Sequence, residues 1–184
     1  IVILEKNMKP QLIFVTLGAM LLASSVAAQS CADGKTLTEG TLTIATGNPA
    51  YYPWVMDDAP ESGNGFEAAV AYALAEKMGF AANSVAWTRT SFDQAIQPGT
   101  KDFDLNIQQF SITEDRDKIV DFSASYYTAP MAVLVRSADN LEPTMEQLKG
   151  LVWGAAASTT GLPMITDTIA PVASTLIYDD NANI

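Results

Sequence analysis

Phe103-Asp104-Leu105-Asn106-Ile107-Gln108-Gln109-Phe110-Ser111-Ile112-Thr113-Glu114-Asp115-Arg116 is the stretch on which both the fold and the chemistry turn. Phe103, Leu105 and Ile107 alternate with Asp104, Asn106 and Gln108, the period-two signature of a half-buried strand. The predicted strand runs into a loop from Gln108 to Ser111, and Thr113 is placed to cap a short helix whose first turn holds Arg116. A guanidinium, the Ser111 hydroxyl and the unpaired amides of a helix start together make a receptor for a carboxylate. Arg suits that task better than Lys, because its planar fork grips both oxygens at a fixed orientation. The competing reading pairs Arg116 at the surface with Glu114, Asp115 or Asp117, and spacing alone favours it.

On either side of this stretch, short β-rich runs alternate with helical patterns. Thr41 to Ala45 reads as a strand with Leu42 and Ile44 on one face. A loop rich in Pro, Gly, Asp and Asn leads from Asn48 to Gly65. Phe66, Ala69, Val70, Ala73, Leu74 and Met78 then recur at helical spacing, with Gly79 where a C-terminal cap is expected. Ser84 to Thr88 is a second strand, and Ser91 caps a short helix that Pro98-Gly99 ends. Met131 to Val135 is continuously apolar, as a buried strand would be. A Thr144…Gln147 capping box, a strand at Leu151 to Ala155, a helix after Thr160 and a strand at Ser174 to Tyr178 follow. Such alternation predicts an α/β fold with a largely parallel sheet. The chain then stops at Ile184 where a helix should begin, and the expectation is a C-terminally truncated piece.

The N-terminus reads differently. Met8 and Lys9 precede an apolar run from Leu12 to Ala23, and Ser24-Ser25-Val26-Ala27-Ala28 supplies small residues suited to cleavage after Ala28. This is the pattern of a secretory signal peptide, too short to span a bilayer comfortably, with Ile1 to Asn7 upstream of a plausible initiator. Cys31 lies just past the cut, but Ala28-Gln29-Ser30 is a poor lipoprotein signal, so a soluble exported protein is favoured over an anchored one.

Composition excludes more than it proposes. The 184 residues contain no histidine and one cysteine, which removes Ser-His-Asp and Cys-His nucleophiles, His-ligated metals and any internal disulfide. The net charge is −11, and removing residues 1–28 takes away Lys6, Lys9 and Glu5 and leaves 8 basic and 20 acidic residues, a net of −12. Such a balance argues against nucleic-acid binding, which rests on Lys and Arg neutralising phosphates. Asp57-Asp58 and Asp179-Asp180 lack the alternating acids and terminal Glu of an EF-hand and read as solvated loops. No metal and no cofactor is expected, and no catalytic residue.

Five stretches resemble, in order and spacing, the family 3 extracytoplasmic solute-binding proteins, the polar amino-acid receptors of ABC importers. Ser111, Thr113 and Arg116 match the family's Ser-x-Thr-x-x-Arg region, and Gly65-Phe66-Glu67 with Met78-Gly79 is similar to its first helix. Thr46-Gly47-Asn48-Pro49-Ala50-Tyr51-Tyr52-Pro53-Trp54 resembles its first ligand loop. Val120-Asp121-Phe122-Ser123 with Tyr126-Tyr127 resembles the entry to the crossover, and Leu148-Lys149-Gly150 with Ser158-Thr159-Thr160-Gly161 the start of a second lobe. The resemblance runs from about Leu37 to the last residue.

The resemblance implies a two-lobed periplasmic-binding-protein-like fold of type II, incomplete in this chain, that closes over its ligand like a hinge. Residues 1–28 would be upstream residues and signal peptide, 29–132 the first segment of lobe one, and 133–184 the hinge crossover and the start of lobe two. Carried over by position, Arg116 and Ser111 would hold an α-carboxylate. Gln108 and Gln109 would lie beside the α-amino group, and Tyr51 would set its ring against the ligand side chain with Trp54 and Phe92 nearby. Thr159 and Thr160 would add donors from lobe two. Asn48 stands where receptors for basic amino acids commonly carry an acid, which weakens a lysine or arginine assignment. Ser158 stands where Gly is usual, and Ser fits only if its φ stays negative. The lobe-two acid that usually pairs with the α-ammonium would lie beyond Ile184.

The implied protein is a periplasmic, monomeric receptor that hands a free amino acid to an ABC transporter permease. Two other classes share the fold: enzymes such as cyclohexadienyl-dehydratase-like proteins, and the sensor domain of a membrane receptor.

Overall fold

Leu42–Gly47 forms β1, buried along nearly its whole length. A strand paired on both edges and covered on its faces has to be apolar or small throughout, and Leu42, Ile44 and Ala45 meet that demand. β1 pairs in parallel with β2 (Val85–Thr90) on one side and β3 (Leu105–Asn106) on the other, giving the order β2-β1-β3. The computed structural model describes residues 32, 34–142 and 144–184. The predicted signal peptide at 1–28 and Cys31 lie outside the described residues.

β3 is shorter than the alternation from Phe103 predicts, yet hydrogen bonding to β1 extends past its ends. Asp104 N donates to Thr43 O and Ile107 N to Ala45 O, each at 2.9 Å. The Asp104 carboxylate also accepts from Leu37 N and Thr43 N at 2.7 Å each, pinning the start of the strand.

α1 (Phe66–Met78) occupies the predicted span, and Gly79 closes it with a left-handed cap donating to Ala75 O and Glu76 O. Its inward face is the predicted one only in part: Val70 and Met78 pack against the core. Ala68, Ala71, Ala75 and Glu67 are buried, whereas Phe66 and Leu74 are exposed. Three alanines let the helix lie close on the sheet, where Ala71 and Ala75 join Leu42, Ile44, Phe80 and Ile107 in one core. Phe66 instead packs among Trp54, Tyr126 and Tyr127. Gly65, just before the helix, has φ +107, and a Cβ there would stand 2.4 Å from Trp54 O, so only glycine fits. α2 (Phe92–Ile96) follows β2 with the full capping box that Ser91 and Gln94 provide. α3 (Glu114–Asp117) is a single turn capped by Thr113.

The second sheet pairs β4 (Gly154–Ala156) in parallel with β5 (Leu176–Tyr178). α4 (Met145–Lys149) precedes it, and α5 (Gly161–Pro163) runs into a π-helical turn over Met164–Ile169. Trp153, Ala155, Ile165 and Ile169 form its core. β4 begins later than predicted, and Trp153 just before it accepts from Leu176 N through its carbonyl and donates Nε1 to Leu148 O, each at 2.8 Å. The capping box of α4 is half formed: Thr144 Oγ1 accepts from Gln147 N, but Gln147 Oε1 accepts from Glu142 N.

The predicted strand at Met131 to Val135 does not form, and Leu134 is 99% exposed. An apolar run becomes a buried strand only where a neighbour pairs with it, and among the described residues none does. Among the described residues, no helix is long and apolar enough to cross a membrane, and no group of three His, Cys, Asp or Glu gathers to hold a metal.

Candidate functional site

In an open parallel sheet, the crevice outside the carboxyl ends of the strands is where a ligand fits, at the point where strand order reverses. Here the chain leaves β1 for β2 on one side and later returns to β3 on the other, so the crevice lies above β1. A cleft of about 250 Å³ opens there. One wall comes from the residues that follow β1, β2 and β3, the other from those that follow β4 and β5.

Arg116 is the cation of this cleft. It is only 8% exposed, although it sits in a one-turn helix whose other members face water. Nη1 donates to Ser111 O at 2.8 Å and Nη2 to Ser158 O at 2.6 Å. Its guanidinium carbon lies 5.4 Å from the ring centroids of both Phe92 and Phe110, which stack on each other at 4.1 Å. Among the described residues no carboxylate forms an ion pair with it: Asp115 pairs with Lys118 instead. The surface-pairing alternative therefore does not occur. Burial lowers the Arg116 pKa from its ordinary value. A buried cation whose partners are all neutral carries a desolvation cost that an anion would offset.

Around Arg116 the cleft gathers Ser111, Gln108, Gln109, Tyr51, Asn48 and Phe92 from the first wall, and Thr159 and Thr160 from the second. Ser111 spends its carbonyl on Arg116 and keeps its hydroxyl free among the described residues. Thr159 donates its hydroxyl to Ala156 O at 2.8 Å and so offers lone pairs rather than a proton. Gln109 lines the cleft in the left-handed region, φ +53, with its side chain turned to Glu67. Its Nε2 is thereby committed to Glu67. Trp54 is not in this cleft: its ring packs edge-on to Phe66 and Tyr127 beside a separate cavity of about 420 Å³. Its carbonyl accepts from the first amides of α1, which fixes the ring on that side.

Glu67 supports the site from beneath. It is fully buried, accepting from Gln109 N at 2.9 Å and also from Gln109 Nε2 and the Tyr126 hydroxyl. Burial raises its pKa even though these three donors pull the other way. Burial likewise raises the Tyr126 phenol, and the neighbouring carboxylate adds to the rise.

The loop after β1 is held rather than merely solvated. Arg89 Nη1 donates to Asp58 Oδ1 at 2.6 Å and to Gly47 O at 2.8 Å, and Ala50 N donates to Asp58 Oδ1. The Ala50 amide and the Arg89 guanidinium hold the Asp58 carboxyl below its ordinary value. Peptide bonds Asn48–Pro49 and Tyr52–Pro53 are cis. Asp179 and Asp180 also differ from the solvated-loop reading, since both line the cleft and Asp180 caps the turn at Asn181–Asn183.

Ser158 breaks its stated condition: its φ is +59. Two contacts hold it there, since its carbonyl accepts from Arg116 and its Oγ donates to Asp93 Oδ1 at 2.5 Å. Asp93 and Phe110 are the contributors that sequence reading missed. Asp93 looks like an ordinary first-turn acid of α2, and Phe110 like another core residue beyond the strand.

The model of the bacterial extracellular solute-binding proteins, family 3, matches residues 42–173, spanning both walls of the cleft. The chain belongs to that family. A relative of this family 3 chain, the lysine/arginine/ornithine-binding periplasmic protein of Escherichia coli (strain K12), is 28% identical over 173 residues. That match covers 89% of the chain and 64% of the relative. An ancestral arginine-binding protein solved with glutamine superposes with a TM-score of 0.65 at 29% identity, covering 79% of this chain and 63% of that one. An ancestral amino acid-binding protein, a precursor of cyclohexadienyl dehydratase, gives 0.62 at 31% identity over 78% and 63%. The family 3 chain thus has the α/β fold of these proteins and spans a little under two thirds of their length.

Proposed function

We propose that this chain is the ligand-capturing part of an exported receptor that binds a free polar amino acid and passes it to an ABC transporter permease. The observation that carries the reading is Arg116: a buried guanidinium, gripped by two carbonyls and two rings, open to a cleft and paired with no carboxylate among the described residues. A ligand α-carboxylate completes it, and the Ser111 hydroxyl adds a donor. The amino-acid ligands named for the related proteins support this reading. Residues 1–28 serve as upstream residues and export signal, 29–132 as the first segment of lobe one, and 133–184 as the crossover and the start of lobe two. The working site is periplasmic, and the receptor acts as a monomer by hinge closure.

Glu67, the one deeply buried carboxylate among the described residues, is spent on Gln109 and Tyr126 and does not line the cleft. Calorimetry of the full-length protein against the twenty amino acids tests the assignment. Arg116→Ala abolishes binding while circular dichroism stays native, and wild-type affinity in that variant would sink it.

A further inference from the structure

The inner end of the cleft holds polar groups that the protein itself leaves under-used. Tyr51 lines the cleft, and its hydroxyl is buried and has no hydrogen-bond partner among the described residues. The Gln108 side chain is 8% exposed, and its contacts are long: Nε2 to Thr90 O at 3.5 Å, and Oε1 from Asn106 Nδ2 at 3.4 Å. Asn106 Oδ1 is buried and unpartnered among the described residues as well. A buried hydroxyl or amide without a partner is expensive, and native proteins keep few of them. Gly47 keeps room for the group: a Cβ there would stand 3.4 Å from Gln108 Nε2 and 2.7 Å from Pro49 O.

Resting on the receptor reading above, we propose that the side chain of the ligand is a carboxamide, read by the Tyr51 hydroxyl and the Gln108 amide. A carboxamide accepts through its oxygen and donates through its NH₂, and both wall groups can do either. A cationic side chain would meet no carboxylate on this wall. The acids of the cleft, Asp179 and Asp180, come from the opposite sheet, and Asp180 Oδ1 already accepts from Ala182 N and Asn183 N. An anionic side chain would find no second cation among the lining residues once Arg116 holds the α-carboxylate. An apolar side chain would seal Tyr51 and Gln108 from water with nothing to bond.

Calorimetry of the full-length protein with L-glutamine, L-asparagine, L-arginine, L-glutamate and L-methionine separates the classes. Glutamine or asparagine is expected to bind at least about 10-fold tighter than the other three. Tyr51→Phe lowers affinity for the amide ligand by about 10-fold, since a hydrogen bond in a dry site is lost. It leaves the melting temperature of the free protein unreduced, because the deleted hydroxyl bonds nothing there. Gln108→Met, similar in volume, gives the same selective loss. Arginine, glutamate or methionine binding as tightly as the amides, or amide affinity unchanged in both variants, overturns the side-chain assignment and leaves the receptor reading standing. Failure of all twenty amino acids to bind overturns the receptor reading and this inference with it.

Discussion

Glu67 and Arg116 are two buried charges handled in opposite ways. Glu67 has three donors and still has a raised pKa, because burial outweighs them. The folded protein therefore binds that proton more tightly than the unfolded chain does. The resulting stability is fully present below the ordinary glutamate value of 4.5 and is lost as pH rises through the higher folded value. Urea titrations of the wild type and of Glu67→Gln test this, since subtraction cancels every other titrating group. The difference is expected to favour the wild type most at acid pH and to decline as pH rises through the raised folded value. A difference constant with pH would show that Glu67 titrates ordinarily. Neither burial was legible in the sequence. Glu67 looks like a first-turn acid suited to a helix N-terminus, and Arg116 sits among three acids that invite a surface pair. What decides both is contact with residues more than 40 positions away: Gln109 and Tyr126 for one, Ser158 for the other.

The helices and strands followed local signals where those signals had no competitor. α1 kept its predicted ends because Phe66 follows a glycine that only glycine can replace and Met78 precedes a left-handed cap. Its orientation was legible only in part: Val70 and Met78 do pack against the core, but alanine is a weak marker of an inward face next to Phe and Leu, and only the closeness of the sheet selects it. The apolar run at Met131 to Val135 has the composition of a strand but no partner, so composition alone misled there. The turn after β4 carries a testable cost. Ser158 holds a left-handed backbone that costs an L-residue roughly 1 to 2 kcal/mol relative to glycine. Ser158→Gly and Ser158→Ala both lose the bond to Asp93, so their difference isolates the backbone. Glycine is expected to be more stable than alanine at this position by about 1 kcal/mol in thermal denaturation, and equality would remove the strain argument.

The two sheets meet across the cleft through a short list of bonds. Asp93 of α2 accepts from Ser158 Oγ, and Arg116 of α3 donates to Ser158 O. If the sheets close on a ligand, these contacts hold the closed form. Asp93→Ala removes the charge-assisted hydrogen bond from Ser158 Oγ together with one from Gln97 Nε2 within α2, so faster release and about a 10-fold weaker Kd are expected. Stopped-flow dissociation measures it, and an unchanged release rate would show that the bridge carries no closure energy. The parallel class of fold and the order of its elements were readable from strand–helix alternation. The seating of Trp54 outside the cleft was not, because the side of a loop on which a ring settles depends on the helix packed beneath it.

The parallel pairing of β1 with β3 has a kinetic consequence. Thr43 finds Asp104 across 61 positions of chain, and every strand pair in either sheet is parallel and so needs a crossover. Long loops are closed before such contacts repay the lost chain entropy, which makes these topologies slow to fold. On the export reading proposed above, slow assembly would keep the chain unfolded for longer before translocation.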